Sequence, residues 1–210
     1  MTTALMLARV RTLLDEVGTA GFWSDTEIYS ALADGQQESA NYFMNIFKKL
    51  KENNPLTPLP KALESLYVSA TGTTASGLIN NPTSYWHLIL ATYAYNGGTS
   101  YNCRIQSLSP SLLYDLENTY LSASATSPTV YQVSATQLLF LPTASGTANY
   151  ALGYVKFPTA IALAQEPTLP ESTHMAIVHY AVAQMLFKDQ RPQEAQIHLQ
   201  NFINELSIIG

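Results

Sequence analysis

Charge is scarce in this chain: Asp, Glu, Lys and Arg make up 12% of its 210 residues, about half the usual share. Much of the surface is therefore neutral and polar, and some of it is suited to being covered by a partner. Basic residues are also the minority, 10 against 15 acidic, for a net charge of −5 and a pI near 5.3. A sequence-independent nucleic-acid binder needs a basic surface to displace counterions, so that class is disfavoured. Cys103 is the single cysteine, which excludes an intramolecular disulfide and a thiolate-based metal site; it reads as a small buried apolar residue. No apolar run approaches the roughly 18 residues that suggest a membrane span. Met1 to Leu5 lacks the basic start and apolar run of a signal peptide. The expectation is a soluble protein made in a cytoplasm, with no membrane partner.

Catalytic signatures are missing as well. There is no G-x-S-x-G, no Walker A, no G-x-G-x-x-G and no H-E-x-x-H. Of the four histidines, His87, His174, His179 and His198, the pair His174 and His179 stands five apart, on different faces of a helix, so these read as core or surface histidines. Asp15, Glu16, Asp25 and Glu27 cluster in sequence, but capping and solvated helix ends explain all four. No catalytic, cofactor-binding or metal-ligating residue is expected, and the chain does not read as an enzyme. Sites assembled from distant residues leave a hydrolase with a dispersed site as an alternative.

What the chain has in quantity is apolar residues, 47%, and 13 tyrosines. Tyrosine is enriched in interfaces because a rigid amphipathic ring gives area and a hydrogen bond at low entropy cost; it also packs β-sheets, and both readings stand.

The best-specified stretch is Gly21 to Ile28. Ser24 and Glu27 have the S-x-x-E spacing of a capping box, and Trp23 and Ile28 occupy the two positions of a hydrophobic staple. These four residues are the expected structural junction between two helices. The first helix is expected over Ala4–Val17, with Met6, Val10, Leu13, Leu14 and Val17 on one face and Gly18 ending it. The second runs from Asp25 to about Lys51, where Gly35, Gln36 and Gln37 mark a bend or a close helix contact. Lys48, Lys49 and Lys51 read first as a solvated helix end, with a phosphate patch as the alternative.

After Asn53-Asn54-Pro55 the charges nearly vanish. Leu63–Val68 is ambiguous between helix and strand, and Thr71–Gly77 reads as a flexible loop. Strands are expected over Tyr85–Tyr95, near Cys103–Leu108, and over Val130–Val133, Gln137–Leu141 and Asn149–Phe157. Hairpin turns are expected at Asn96-Gly97-Gly98 and at Pro142–Gly146, and a short helix at Ser109–Leu116. Helical patterning returns over Thr173–Lys188, then from Pro192 with a 4-3-4-3 apolar seam through Leu206 and Ile209. The expected fold is α+β, mainly a helical bundle of about four helices with an antiparallel β-rich domain inserted between helices two and three. Residues 1–55 and 168–210 would form the bundle and 56–167 the insertion.

In order, these pieces resemble a known family. The opening LARVRTLLDEVGTAGFWSDTEIYSALADGQQE resembles the start of the head-to-tail adaptor proteins of tailed bacteriophages, also called head-completion or connector proteins. Arg9, Arg11, Leu14, Phe22, Trp23, Asp25, Glu27 and Ile28 carry the match. RIQSLSPSLLYDLEN, TQLLFLP and ALGYVKFPTAI, with Tyr154, Val155, Lys156 and Pro158, are similar to the β-insertion of such proteins, and LPESTHMAIVHYAVAQMLFKD to their third helix. Leu63–Tyr101 departs from the pattern.

The resemblance implies a structural virion protein of the phage neck, made in the host cytoplasm. It would form a ring, usually of twelve subunits in such adaptors, that docks on the portal protein and extends the DNA channel towards a downstream tail or stopper protein. Packaged DNA would pass without specific binding during genome ejection, and no cofactor is implied. The apolar tail Leu206, Ile208 and Ile209 is the segment such adaptors reorder on docking, or simply a frayed helix end; with Tyr150 and Tyr154 it makes up the expected partner or oligomer interface. Alternatives are another tail-completion or stopper protein, or a non-viral helical binding module with a ligand-holding β-insertion.

Overall fold

The computed structural model describes residues 1–16, 21–107, 124–143, 146–163 and 165–209. The chain divides into two units, Met1–Leu66 with Pro158–Gly210, and Tyr67–Phe157. The first holds five α-helices among the described residues: α1 (Thr3–Leu13), α2 (Asp25–Asn53), α3 (Lys61–Glu64), α4 (His174–Lys188) and α5 (Pro192–Ile209). α4 is the hub. It buries His174, Ala176, Ile177, Val178, Ala181, Val182, Ala183, Met185 and Leu186, too wide a set for one stripe, because α1, α2 and α5 all pack on it. Gly35 of α2 marks a close helix contact: a Cβ there would lie 3.0 Å from the carbonyl oxygen of Ile177 and 3.2 Å from the Cβ of Tyr180.

Gln36, 1% exposed, ties the returning chain to α2. Its Nε2 donates to the carbonyl of Thr159 at 2.6 Å. Its Oε1 accepts from the N–H of Thr168 at 2.7 Å, the Thr168 hydroxyl at 3.2 Å and the N–H of Leu169 at 3.4 Å. A buried amide is tolerated when both ends are satisfied in this way.

One helix end differs from expectation. α1 stops at Leu13 rather than Val17, because Asp15 takes φ +58° and closes a Schellman turn. The N–H of Glu16 donates to the carbonyl of Arg11 at 2.9 Å and that of Asp15 to Thr12 at 3.3 Å. The same pattern ends α4 at Gln190 (φ +57°), with Arg191 N–H donating to the Leu186 carbonyl at 2.9 Å. A non-glycine residue stands in the left-handed position of both. Gly18 lies outside the described residues.

Among its described residues the second unit holds eight strands: β1 (Tyr67–Thr74), β2 (Leu78–Asn80), β3 (Tyr85–Ala94), β4 (Tyr101–Asn102), β5 (Arg104–Ser107), β6 (Thr129–Ser134), β7 (Gln137–Leu141) and β8 (Ala148–Lys156). They make two four-stranded sheets, ordered β1-β8-β3-β4 and β2-β7-β6-β5. Every pairing is antiparallel except β5 with β6. One core serves both sheets, with Leu88, Ala91, Tyr93, Leu152 and Tyr154 from the first and Ile79, Val130, Leu138 and Phe140 from the second. Phe140 stacks on Tyr93 at 5.0 Å and on Tyr150 at 5.6 Å.

The expectation of a mainly helical bundle of about four helices is therefore overturned. Among the described residues the protein is α+β with five helices and two four-stranded sheets, and the sheets follow α3, not helix two. The reason is largely β1. Thr71–Gly77 reads as a loop because Thr, Ser, Ala and Gly show no apolar alternation. Yet Tyr67–Thr74 pairs residue for residue with β8, and its glycine lies beneath an aromatic ring: a Cβ on Gly72 would stand 2.5 Å from the Tyr150 hydroxyl.

Of the two expected hairpins, the first forms, with β3 and β4 antiparallel across the Asn96–Gly97 turn, but its second arm stops short of the expected Cys103–Leu108 strand; the second joins no pair of neighbouring strands. The Asn96–Gly97 turn leads to β4, but at Cys103 the chain crosses sheets: its N–H donates to Ala91 and the next, of Arg104, to Pro128. Likewise β7 and β8 lie in different sheets. The short helix expected at Ser109–Leu116 lies outside the described residues.

Candidate functional site

The junction between α1 and α2 is the most elaborately bonded surface feature. The Ser24 N–H donates to Glu27 Oε2 at 3.1 Å, its hydroxyl donates to the same oxygen at 2.8 Å, and the Glu27 N–H donates to Ser24 Oγ at 3.3 Å. The capping box is thus reciprocal. These bonds from the Ser24 hydroxyl, and next its backbone, hold the Glu27 carboxyl below its usual pKa. Ile28 is buried at the start of α2. Trp23 is half-buried, with the ring of Phe22 edge-on at 4.9 Å and the Lys188 ammonium 5.9 Å from its centroid. Phe22 itself is 79% exposed.

Arg11 and Glu16 brace this junction, and residue patterning did not single them out for it. The Arg11 guanidinium donates to Glu16 Oε2 at 2.9 Å, to the carbonyl of Trp23 at 3.0 Å and to the Asp25 carboxylate. Glu16 Oε1 accepts from the Trp23 N–H at 3.0 Å. The available signal was an oppositely charged pair, Arg11 and Glu16, both off the apolar stripe of the expected first helix; the turn at Asp15 beyond the end of α1 is what lets the two meet. Gly21 is needed for this bracing: a Cβ would fall 2.2 Å from Arg11 Nη1 and 2.6 Å from Glu16 Oε2. The flexible side chains can retreat, but only by opening the ion pair. Gly21→Ala is expected to cost about 1 kcal/mol in the parent and close to nothing in an Arg11→Ala background, as read by a denaturation double-mutant cycle.

The residues expected to meet a partner are placed differently from one another. Tyr154 (6% exposed) and Leu206 (0%) are buried within their own units. Tyr150 is half-buried on Phe140, Ile208 is 82% exposed, and Ile209 is half-buried. Tyr29, Tyr85, Tyr93, Tyr131 and Tyr154 are all buried, so packing accounts for those five tyrosines.

Lys48 and Lys49 are exposed, while Lys51 rests its ammonium 5.4 Å over Phe47, and burial lowers its pKa. The Cys103 thiol is pushed up to about 12 by burial, far from a reactive thiolate.

The histidines separate. His174 is buried, its Nε2 bonded to the carbonyl of Leu169 at 3.0 Å. His179 on α4 meets His198 on α5, Nδ1 to Nδ1 at 3.0 Å, a contact in which one ring donates its Nδ1–H and the other, unprotonated at Nδ1, accepts. Burial, followed for His179 by the charge of its neighbour, lowers both pKa values from 6.5; Glu205 near His179 and Glu194 near His198 oppose the shift. With folded values depressed, the unfolded chain binds protons first as pH falls, so this contribution to stability is present above pH 6.5 and lost as pH drops through the folded pKa. The midpoint of urea unfolding is expected to fall between about pH 7 and about pH 5, with a flatter profile in His198→Gln.

Among the described residues no group of three or more His, Cys, Asp or Glu could hold a metal ion, and no helix is long and apolar enough to cross a membrane. What the chain builds is a braced helix junction, a buried polar clasp and a nearly uncharged pair of sheets. A family model for the SU10 adaptor protein matches residues 1–209, and the chain belongs to that family of phage head-to-tail adaptors. It is accordingly a phage structural component that acts with other head and tail proteins. A search of curated proteins finds no match.

Proposed function

We propose that the chain is a ring-forming adaptor that docks on the portal, extends the DNA channel and offers its far side to a tail or stopper protein. It works in the virion neck after synthesis in the host cytoplasm, without catalysis or cofactor. The family match over almost the whole chain carries this reading. The net charge of −5 agrees with a channel wall that lets packaged DNA slide.

Within this reading Trp23, Ser24, Glu27 and Ile28 hold the frame of the helical part, and Tyr67–Phe157 acts as an inserted domain. Ile208, exposed at the end of α5, is the tail residue free to meet a partner at once. Leu206 and Tyr154, both buried, reach one only if their segments reorder, and Ile209 and Tyr150 stand between these cases.

The test is mass photometry with negative-stain microscopy of the protein alone and mixed with portal. Rings with a central hole, twelvefold in the simplest case, or a stable joint complex are expected. A chain that stays monomeric in both conditions overturns the reading.

A further inference from the structure

An exposed sheet edge is a row of unpaired N–H and C=O groups and a template for another strand, which natural proteins blunt with short strands, charge, proline or bulges. Three edges of the β-rich unit are short: β4 has 2 residues, β2 has 3 and β5 has 4. β1 has 8. Its register with β8 is unbroken, it contains no charged residue and no proline, and among the described residues nothing hydrogen-bonds to the outer edge of Tyr67–Thr73. Among the described residues each of these protections is absent from this long edge.

We propose that β1 pairs antiparallel with the β4 edge of a neighbouring copy, joining the first sheets of successive subunits edge to edge; this rests on the ring reading above. The argument is directional. In the order β1-β8-β3-β4 every neighbour is antiparallel, so the two outer strands run in opposite directions. A second copy's β4 beside β1 therefore continues the alternation without a break.

Side-chain facing continues too. Thr71 lies opposite Ala151, Ala151 opposite Thr92, and Thr92 opposite Asn102, so all four share one sheet face. With no stagger at the joint, Asn102 of one copy falls opposite Thr71 of the next, and no like charges meet there. The contact uses two different edges, so it is head-to-tail and closes by rotation, whereas β1 paired with itself would stop at a two-fold dimer. With so short a β4, assembly is expected to depend steeply on concentration.

Thr71 and Asn102 are both exposed, so the full-length chain tolerates charge at each. Thr71→Lys combined with Asn102→Lys places like charges across every joint and is expected to remain monomeric with an unchanged Tm. Thr71→Lys combined with Asn102→Glu is expected to assemble again. In the assembled parent, alternate amides of Tyr67–Thr73 gain protection from hydrogen exchange. Rings formed equally by the double-lysine variant overturn the joint and leave the ring reading intact. A parent monomeric with and without portal removes both. Open chains with protected β1 amides support the joint and overturn the ring alone.

Discussion

Phe140→Ala is expected to lower the stability of the β-rich unit by about 3–5 kcal/mol, the range for removing a fully buried aromatic ring. The ring is 0% exposed and lies between Tyr93 and Tyr150, at 5.0 Å and 5.6 Å, both stacked. It thus bridges the two sheets: Phe140 comes from β7, Tyr93 from β3 and Tyr150 from β8. Truncation loses the transfer free energy of the ring, leaves a cavity that rigid neighbours fill poorly, and removes two aromatic contacts worth about 0.5–1.5 kcal/mol each, a sum that partly overlaps the first cost. Denaturant unfolding followed by near-ultraviolet circular dichroism reads the tyrosine environment directly. A loss below about 1 kcal/mol would show that the sheets do not depend on this stack.

Gln36→Leu has the second largest expected effect, about 2–4 kcal/mol, although leucine nearly conserves the volume. Four groups would lose the partner that Gln36 gives them in the clasp: the Thr159 carbonyl, the Thr168 N–H, the Thr168 hydroxyl and the Leu169 N–H. A buried donor or acceptor left unpaired costs about 1–3 kcal/mol; water entering at the part-buried Thr159 and Thr168 reduces the total. Hydrogen exchange distinguishes this from general loosening: the amides of Thr168 and Leu169 should exchange faster, while those of α4 change only with global stability. Equal acceleration everywhere would place the effect in packing instead of the clasp.

Local chemistry was legible in the sequence and non-local pairing was not. The Ser24–Glu27 box needs only residues three apart, and its bonds are present as the spacing requires. Pro192 at the start of α5 and the extent of α4 are equally local. The end of α1 misled because a Schellman turn is normally marked by glycine, and here Asp15 holds the left-handed position. β1 misled for the opposite reason: nothing in Tyr67–Thr74 demands a strand, and its conformation comes from β8, some eighty residues away in sequence. The assignment of β7 and β8 to different sheets likewise depends on partners far along the chain. Arg11 shows an intermediate case. The family resemblance pointed to it, but its work at Glu16, Asp25 and the Trp23 carbonyl appears only once the two helices are set side by side.

The register of β1 with β8 has one more outcome. The unit begins at Tyr67 and ends at Phe157, and Tyr67 is paired with Val155, so the chain enters and leaves through adjacent strands whose ends lie roughly 5 Å apart. A segment with its ends this close behaves as a cassette: it can be shortened, lengthened or exchanged for another fold while the flanking helices keep their own sequence and spacing. Evolution in such a chain can rewrite the β-rich unit and leave the helical frame as it stands.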